Sequence, residues 1–112
     1  MSAGVGVAAL ALGTSAPAAP RFSRDIQPIF DQSCVACHPV SYPYLDLRRG
    51  YSYAQLYRVS AATNPAFERV VPGKPQLSYL LIHPSDPSNR GLLTEQDRQM
   101  IVRWIEAGAK ND

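Results

Sequence analysis

Apolar residues recur at helical spacing in four stretches of the chain, and the last stretch has the clearest boundaries. Thr94 suits the N-cap, Asp97 completes a capping box and Gly108 ends the helix. The first stretch, residues 23–33, has the same period, and Ser23 is its expected N-cap. The apolar stripe of the last helix comprises Met100, Ile101, Trp104 and Ile105.

The two middle stretches are shorter. Ser52 and Gln55 form a capping-box pattern that predicts a helix over about residues 53–61. Pro75 suits a first helical position, and the third helix is expected to run from there through Leu81. No segment alternates strongly enough between apolar and polar residues to predict a sheet. The pattern therefore predicts an all-α fold of about four short helices joined by long loops.

The N-terminal segment has a different character. Residues 3–13 are small and apolar and residues 15–20 are rich in alanine and proline, as in the apolar region and cleavage site of a secretory signal. No Lys or Arg precedes the apolar run, so a truncated anchor and a disordered tail are the alternatives. We expect residues 1–20 to be a leader, residues 21–112 to form the folded domain, and the protein to be exported to a bacterial periplasm.

Composition narrows the classes of protein to consider. The chain has 112 residues, of which 46% are hydrophobic and 18% charged, which predicts one small folded domain and not a disordered chain. The net charge of +2 and the lack of a phosphate-binding glycine loop give no indication of nucleic-acid binding. A domain of this size often needs a disulfide, a metal or a cofactor to complete its core.

Residues 34–38 have the sequence Cys-Val-Ala-Cys-His, the attachment motif of c-type haem. The spacing of Cys34 and Cys37 lets both thiols form thioethers with the vinyl groups on one side of the ring. His38 follows immediately and is the expected proximal iron ligand. The motif therefore predicts one covalently bound haem c, whose apolar faces would also supply the missing part of a small core.

Three other interpretations of the cysteine pair are weaker. A thioredoxin-type redox pair needs a strand followed by a helix, which the pattern does not predict. A zinc site would need further ligands, and the chain has two histidines and no third cysteine. A disulfide across a two-residue spacer closes a strained loop and stabilises little.

The sequence leaves the second axial ligand of the iron open. His83 lies where the third helix meets a polar loop, and Met100 lies on the apolar face of the last helix. A methionine at such a position more often fills a core than binds a metal, so His83 is preferred. An open or unusual sixth position is the third alternative.

Other residues are candidates for contacts with the haem. Arg48 and Arg49 match propionate carboxylates, and solvated loop charges explain them equally well. Trp104 is a candidate haem contact too, with helix packing as its simpler role. No catalytic triad or carboxylate pair is evident, so no enzymatic activity is expected. The rings expected to wall the pocket are Tyr42, Tyr44, Tyr51, Tyr53, Tyr57 and Tyr79.

Four segments resemble those of small single-haem cytochromes c of the class I-like or planctomycete type. They are the first helix with the haem motif (25–38), the following loop (45–50), the segment leading into the third helix (70–80) and the terminal helix (92–109). The resemblance implies first and last helices that cross beside a covalent haem, and a role in electron transfer. It assigns the motif cysteines to attachment and the motif histidine to the iron.

The chain departs from that family in one respect. Such proteins usually place a ligand methionine in the loop before the last helix, and residues 83–93 contain none. His83 is therefore the sixth ligand of most interest. Ligation by two histidines would lower the reduction potential relative to a histidine and a methionine.

The expected function is one-electron transfer, by a soluble carrier or by a subunit of a larger redox complex. The expected partners are redox proteins, including those of a membrane respiratory or photosynthetic complex. Two alternatives stay open. One is a haem sensor or peroxidase-like protein with an open or labile sixth iron position, and the other is a structural haem subunit of a membrane complex.

Overall fold

A computed structural model describes residues 18–85 and 93–112, and within these ranges the chain is helical with no extended strand. A π-helical turn at Phe22–Ile26 leads into the first α-helix. Turns of 3-10 helix flank the third α-helix at Pro75–Leu77 and His83–Ser85. The all-α prediction is confirmed for the described residues. Their α-helices are α1 (Gln27–Ser33), α2 (Ser52–Leu56), α3 (Tyr79–Ile82) and α4 (Glu95–Glu106).

Two predicted segments lie largely outside the described residues. The predicted leader overlaps them only at residues 18–20, of which Pro20 is buried. The polar loop predicted after the third helix is described only as far as Ser85. Of the helices in the part of the chain that the structure describes, none has the length and apolar character needed to cross a membrane.

Both boundaries of α4 agree with the sequence. The Thr94 hydroxyl accepts a hydrogen bond from the amide of Asp97 at 3.1 Å, which satisfies one of the free donors at the helix start. Gly108 has a φ of 109°, a conformation that costs glycine little, and the chain turns away from the helix there. The amide of Ala109 then donates to the carbonyl of Trp104 at 2.9 Å and closes the end of the helix.

Helix α2 differs from its prediction because its polar side chains form hydrogen bonds with residues that are distant in the chain. Ser52 is buried, and its hydroxyl donates to Oε1 of Gln27 on α1 instead of capping its own helix. The side chain of Gln55 accepts from the amide of Asp46 at 2.6 Å. The predicted capping box is therefore absent, and the helix ends at Leu56, well before residue 61.

After α2 the chain is irregular and makes isolated bridges. Tyr57 pairs with Val70, and Glu68 pairs with both Ser60 and Ser78. Ser78 has an extended backbone, so it divides the predicted third helix into a 3-10 turn and α3. These bridges hold the segment that follows α2 against the segment that precedes α3.

The core is formed where the first and last helical elements meet. The ring of Phe22 lies 5.1 Å from the ring of Trp104 and 5.3 Å from that of Tyr53. The amide of Phe22 donates to the carboxylate of Asp112 at 3.1 Å, and the indole of Trp104 donates to the carbonyl of Lys110 at 2.9 Å. The buried residues of this cluster are Phe22, Ile26, Ile29, Phe30, Leu47, Leu56, Val70, Leu81, Ile101, Trp104, Ile105 and Ala109.

Candidate functional site

The Cys-Val-Ala-Cys-His motif forms one tight turn directly after α1. The amide of Cys34 donates to the carbonyl of Phe30 at 2.8 Å and so continues the helix by one bond. The amides of Cys37 and His38 both donate to the carbonyl of Cys34, at 3.1 and 2.9 Å. The two cysteines and the histidine are therefore held together by backbone hydrogen bonds.

The two thiols are free and differ in environment. Cys37 is exposed, whereas Cys34 is partly buried against the core. Burial raises the pKa of the Cys34 thiol to about 11, and the nearby Cys37 and Asp97 act in the same direction. Cys34 is consequently a protonated and poorly reactive thiol at neutral pH, while Cys37 faces solvent.

The ring of His38 is oriented by the backbone that follows it. Its Nδ1 lies 3.4 Å from the carbonyl oxygen of Tyr42. A carbonyl only accepts, so this contact assigns the proton to Nδ1 and leaves Nε2 with a lone pair. Burial lowers the pKa of His38, the Tyr42 carbonyl opposes that shift, and the charges of His83 and Arg69 add to it. The imidazole is therefore favoured in the neutral form, which is the form that binds metals.

His38 and His83 line the same cleft, which has about 360 Å³ of empty space and is open to solvent. Tyr44, Arg69 and Tyr79 also line it. The structure thus brings together the proximal ligand and the preferred sixth ligand of the sequence analysis, although they are distant in the chain. We refer to this feature below as the histidine cleft.

His83 stands at the edge of the described part of the chain. It is exposed and begins the 3-10 turn that follows α3. Its ring lies 5.8 Å from that of Tyr79, which in turn contacts the ring of Phe67 at 5.7 Å. Tyr79 therefore forms the wall against which the His83 ring lies.

Met100 and Trp104 lie on α4 and not in the histidine cleft. Met100 is partly buried against the core, and its sulfur lies 3.3 Å from the guanidinium of Arg103. Trp104 is 1% exposed and belongs to the aromatic cluster of the core. Both residues therefore have packing roles among the described residues, and their contact with a haem stays a prediction.

Arg48 and Arg49 are paired outside the histidine cleft. Arg48 forms a 2.7 Å ion pair with Asp46. Arg49 donates to the carbonyl of Ser23 at 3.1 Å and lies 3.7 Å from a carboxylate oxygen of Asp31. It borders a second cavity, of about 610 Å³, that none of the motif residues lines. The binding of propionates by these two arginines stays a prediction.

Sequence reasoning missed Arg69, the arginine that does line the histidine cleft. It is only 8% exposed, and its guanidinium donates to the carbonyls of Gln55 at 2.9 Å and Tyr44 at 3.2 Å. The available signal was an arginine inside the run Phe67-Glu68-Arg69-Val70-Val71, where neighbouring residues are mostly apolar. An arginine in such a run is a candidate for a buried charge.

The tyrosines divide between the cleft and the rest of the molecule. Tyr44 and Tyr79 line the histidine cleft, and the Tyr42 ring lies 5.5 Å from that of His38. Tyr53 instead packs in the core, where its hydroxyl donates to the carbonyl of Ala109 at 2.7 Å. Two of the six tyrosines predicted to wall a haem pocket therefore line the histidine cleft, and the haem pocket itself stays a prediction.

No protein family model, curated protein or solved structure matches this chain. What the site can bind must therefore be inferred from the ligand atoms of its own residues. Within residues 18–85 and 93–112, no three His, Cys, Asp or Glu side chains gather into a metal-binding group. A haem iron does not need such a group, because the porphyrin supplies four ligands and the protein only the axial ones.

The donors that are present fit a covalently attached haem. The motif turn holds two free thiols beside a neutral imidazole. With its proton on Nδ1, His38 has a lone pair on Nε2, the ring nitrogen that does not face the Tyr42 carbonyl. A second imidazole, that of His83, lines the same solvent-open cleft. A buried guanidinium there suits the carboxylates that a haem carries.

Proposed function

We propose that the protein is a small c-type cytochrome that transfers single electrons. The observation that carries the proposal is that His38, which ends the Cys-Val-Ala-Cys-His turn, lines one cleft together with His83. An attachment motif next to two imidazoles that line one cleft suits a haem with two nitrogen axial ligands better than it suits a zinc site or a redox dithiol. The helical architecture is compatible with a cytochrome c-like fold.

Each residue of the site has a specific task in this proposal. Cys34 and Cys37 would hold the haem through thioethers, and His38 would bind its iron through Nε2. When bound, haem c supplies an iron that changes between the ferrous and ferric states. The carbonyl of Tyr42 keeps the His38 ring in the correct tautomer and orientation. The ring of Tyr79 lies 5.8 Å from the ring of His83 and supports it.

The exposure of His83 favours one alternative to a simple carrier. An exposed ligand on a 3-10 turn is held less firmly than one inside a helix, so it exchanges more readily with external ligands. A haem sensor or peroxidase-like protein with a labile sixth position would use that property. The response of the ferrous protein to CO separates these two functions.

The proposed partners are redox proteins that meet the chain through a small local surface. The formal charge of +2 would fall to about zero with two ionised propionates, so long-range electrostatic steering is weak. Tyr42 and Tyr44 are 48% and 47% exposed beside His38, and they offer an amphipathic patch at the site. Transient redox contacts are typically small. Export to the periplasm and association with a membrane complex belong to the same proposal.

The first test is haem attachment to the full chain. The protein is produced with a secretory signal in a bacterium that has a cytochrome c maturation system. The mass is expected to increase by one haem, and the product to keep its colour after denaturation because the bonds are covalent. The double variant Cys34→Ala/Cys37→Ala is the control and should carry no covalent haem. A wild-type chain without haem under these conditions would disprove the proposal.

The second test identifies the sixth ligand. In the haem-bearing protein, His83→Ala is expected to give a high-spin spectrum and rapid CO binding to the ferrous form. Met100→Leu, on α4, should leave the spectrum unchanged. Electron paramagnetic resonance of the oxidised wild-type protein reports the axial pair directly. The reverse result for the two variants would move the sixth ligand to Met100, and rapid CO binding by the wild type would favour the sensor or peroxidase alternative.

A further inference from the structure

Arg69 is a buried cation that forms no ion pair with a carboxylate among the described residues. The residue is 8% exposed, and its guanidinium donates to two backbone carbonyls, those of Gln55 and Tyr44. Carbonyl oxygens satisfy the hydrogen bonds but carry no net charge. Burial lowers the pKa of Arg69, and the Tyr44 hydroxyl is the ionisable group that works against this shift. The positive charge is therefore desolvated and uncompensated among the described residues.

Two carboxylates of this region are paired with other arginines. Glu68, the preceding residue, binds Nε of Arg58 at 2.7 Å. Asp46, whose amide is bonded to the side chain of Gln55, forms its ion pair with Arg48 at 2.7 Å. Both partners of these acids are surface arginines. The other arginines of this region thus have carboxylates, whereas Arg69 has carbonyls and an open cleft.

A buried unpaired charge is costly, and proteins keep one where a ligand neutralises it. Arg69 lines the histidine cleft, and its positive charge favours an occupant with negative charge. Since the guanidinium fork matches a carboxylate in geometry, a carboxylate is the best-fitting group.

We propose that Arg69 binds a propionate carboxylate of the haem that occupies the histidine cleft. This inference rests on the proposed function. It differs from the sequence-based expectation for Arg48 and Arg49, because those arginines are paired elsewhere while Arg69 is not. In this role Arg69 is a positioning residue: it fixes one edge of the haem and places a positive charge near the iron.

The test compares Arg69→Gln and Arg69→Lys with the wild type in the haem-bearing full chain. Two quantities are measured: the resonance Raman band of propionate bending and the midpoint reduction potential at pH 7. Arg69→Gln should shift the band, because the carboxylate loses its hydrogen-bond donors. It should also lower the potential, because removal of a nearby cation favours the ferric state. Arg69→Lys should restore the potential towards the wild-type value and leave the band shifted.

Arg24→Gln is the matched control, because Arg24 is exposed and its guanidinium is paired with Asp25. It should change neither quantity. An unchanged band in Arg69→Gln would overturn the inference, and so would a band shift in Arg49→Gln alone. If Arg69→Gln fails to fold, an unchanged band in Arg69→Lys would overturn it equally. A wild-type chain that binds no haem would instead refute the proposed function, so the two failures are distinguishable.

Discussion

The core and the histidine cleft differ in the burial of their aromatic rings and in their contact with open space. In the core, Phe22, Tyr53 and Trp104 form ring contacts, and the polar groups of Tyr53 and Trp104 donate to backbone carbonyls. In the cleft, His38 and Arg69 border open space, and the rings of Tyr42 and Tyr44 beside His38 are half exposed. The core is thus satisfied by the chain itself, whereas the cleft has unused bonding capacity.

This difference separates stability from function within a small domain. Residues that hold the fold are grouped where the first and last helical elements meet, while the candidate ligands lie on turns and short helices. Substitutions in the core should therefore change the free energy of unfolding, and substitutions in the cleft should change ligand properties first. Four predictions follow from this separation, and they begin with the largest expected effect.

The largest effect is expected for Trp104→Ala. This substitution removes a side chain that is 1% exposed, together with its ring contact to Phe22 and its hydrogen bond to the carbonyl of Lys110. Loss of a buried aromatic side chain costs about 3–5 kcal/mol, so the domain should be largely unfolded. Urea denaturation followed by circular dichroism measures the change.

Two variants serve as comparisons for Trp104→Ala. Trp104→Phe keeps an aromatic ring and should lose only a fraction of that free energy. Tyr42→Ala removes a half-exposed ring beside the cleft and should cost no more than about 1 kcal/mol. Equal destabilisation by Trp104→Ala and Tyr42→Ala would contradict the separation of core and cleft.

A smaller effect is expected for Ser52→Ala. The buried hydroxyl of Ser52 donates to the side chain of Gln27, which also donates to Asp31 and to the carbonyl of Leu47. Removal of the hydroxyl leaves a buried amide oxygen without its donor, at a cost of about 1–3 kcal/mol. The free energy of unfolding from the same urea experiment measures it.

The design of the Ser52 experiment includes an exposed serine. Ser23→Ala is the matched control, because that side chain lies on the surface and only its backbone is bonded to Asp112 and Arg49. A loss below about 0.5 kcal/mol in Ser52→Ala would show that the hydrogen bond between α1 and α2 does not stabilise the fold.

The third prediction concerns the thiols at the border of the two regions and involves no substitution. In protein produced without haem attachment, iodoacetamide should label exposed Cys37 much faster than Cys34 at pH 8. The pKa of Cys34 is about 11, so its thiolate fraction, and with it the labelling rate, should rise about tenfold per pH unit below that value. Peptide mass analysis after timed labelling separates the two sites.

The same shift predicts a dependence of stability on pH. The folded state holds the Cys34 proton up to about pH 11, whereas an unfolded chain releases it near 9.0. The unfolded state therefore binds fewer protons between these values, and the free energy of unfolding should fall as the pH rises through this range. Cys34→Ala should remove this part of the pH dependence. In the labelling experiment, equal rates for Cys34 and Cys37 would contradict the raised pKa of Cys34 on which both predictions rest.

Helix α4 was predictable from local signals, and α2 was not. Thr94 and Gly108 set the ends of α4 through bonds within a few residues of themselves, which a sequence pattern contains. Ser52 and Gln55 have the same kind of pattern, but Gln27 and Asp46 engage their side chains over long sequence distances. Tertiary contacts of this kind override a local capping preference.

The part of the candidate site that is formed by residues adjacent in the sequence could be recognised from the sequence. The turn from Cys34 to His38 is a single motif, and the role proposed for it comes from residue type and spacing. The preference for His83 came from the lack of a methionine in the following loop, and the shared cleft could not be derived from spacing. Arg69 was missed because its importance lies in its burial at the cleft with no ion-pair partner among the described residues, and that is visible only in three dimensions.

The bond between the amide of Phe22 and the carboxylate of Asp112 spans 90 residues of the chain. The backbone bond from Ser23 to Asp112 at 2.8 Å reinforces it. Contacts of such large sequence separation require closure of a long loop, which carries an entropic cost that local turns avoid. In kinetic terms, the turn from Cys34 to His38 is expected to form early during folding and the contact between the first and last helical elements late. The turn from Cys34 to His38 would then already be formed when the first and last helical elements pack together.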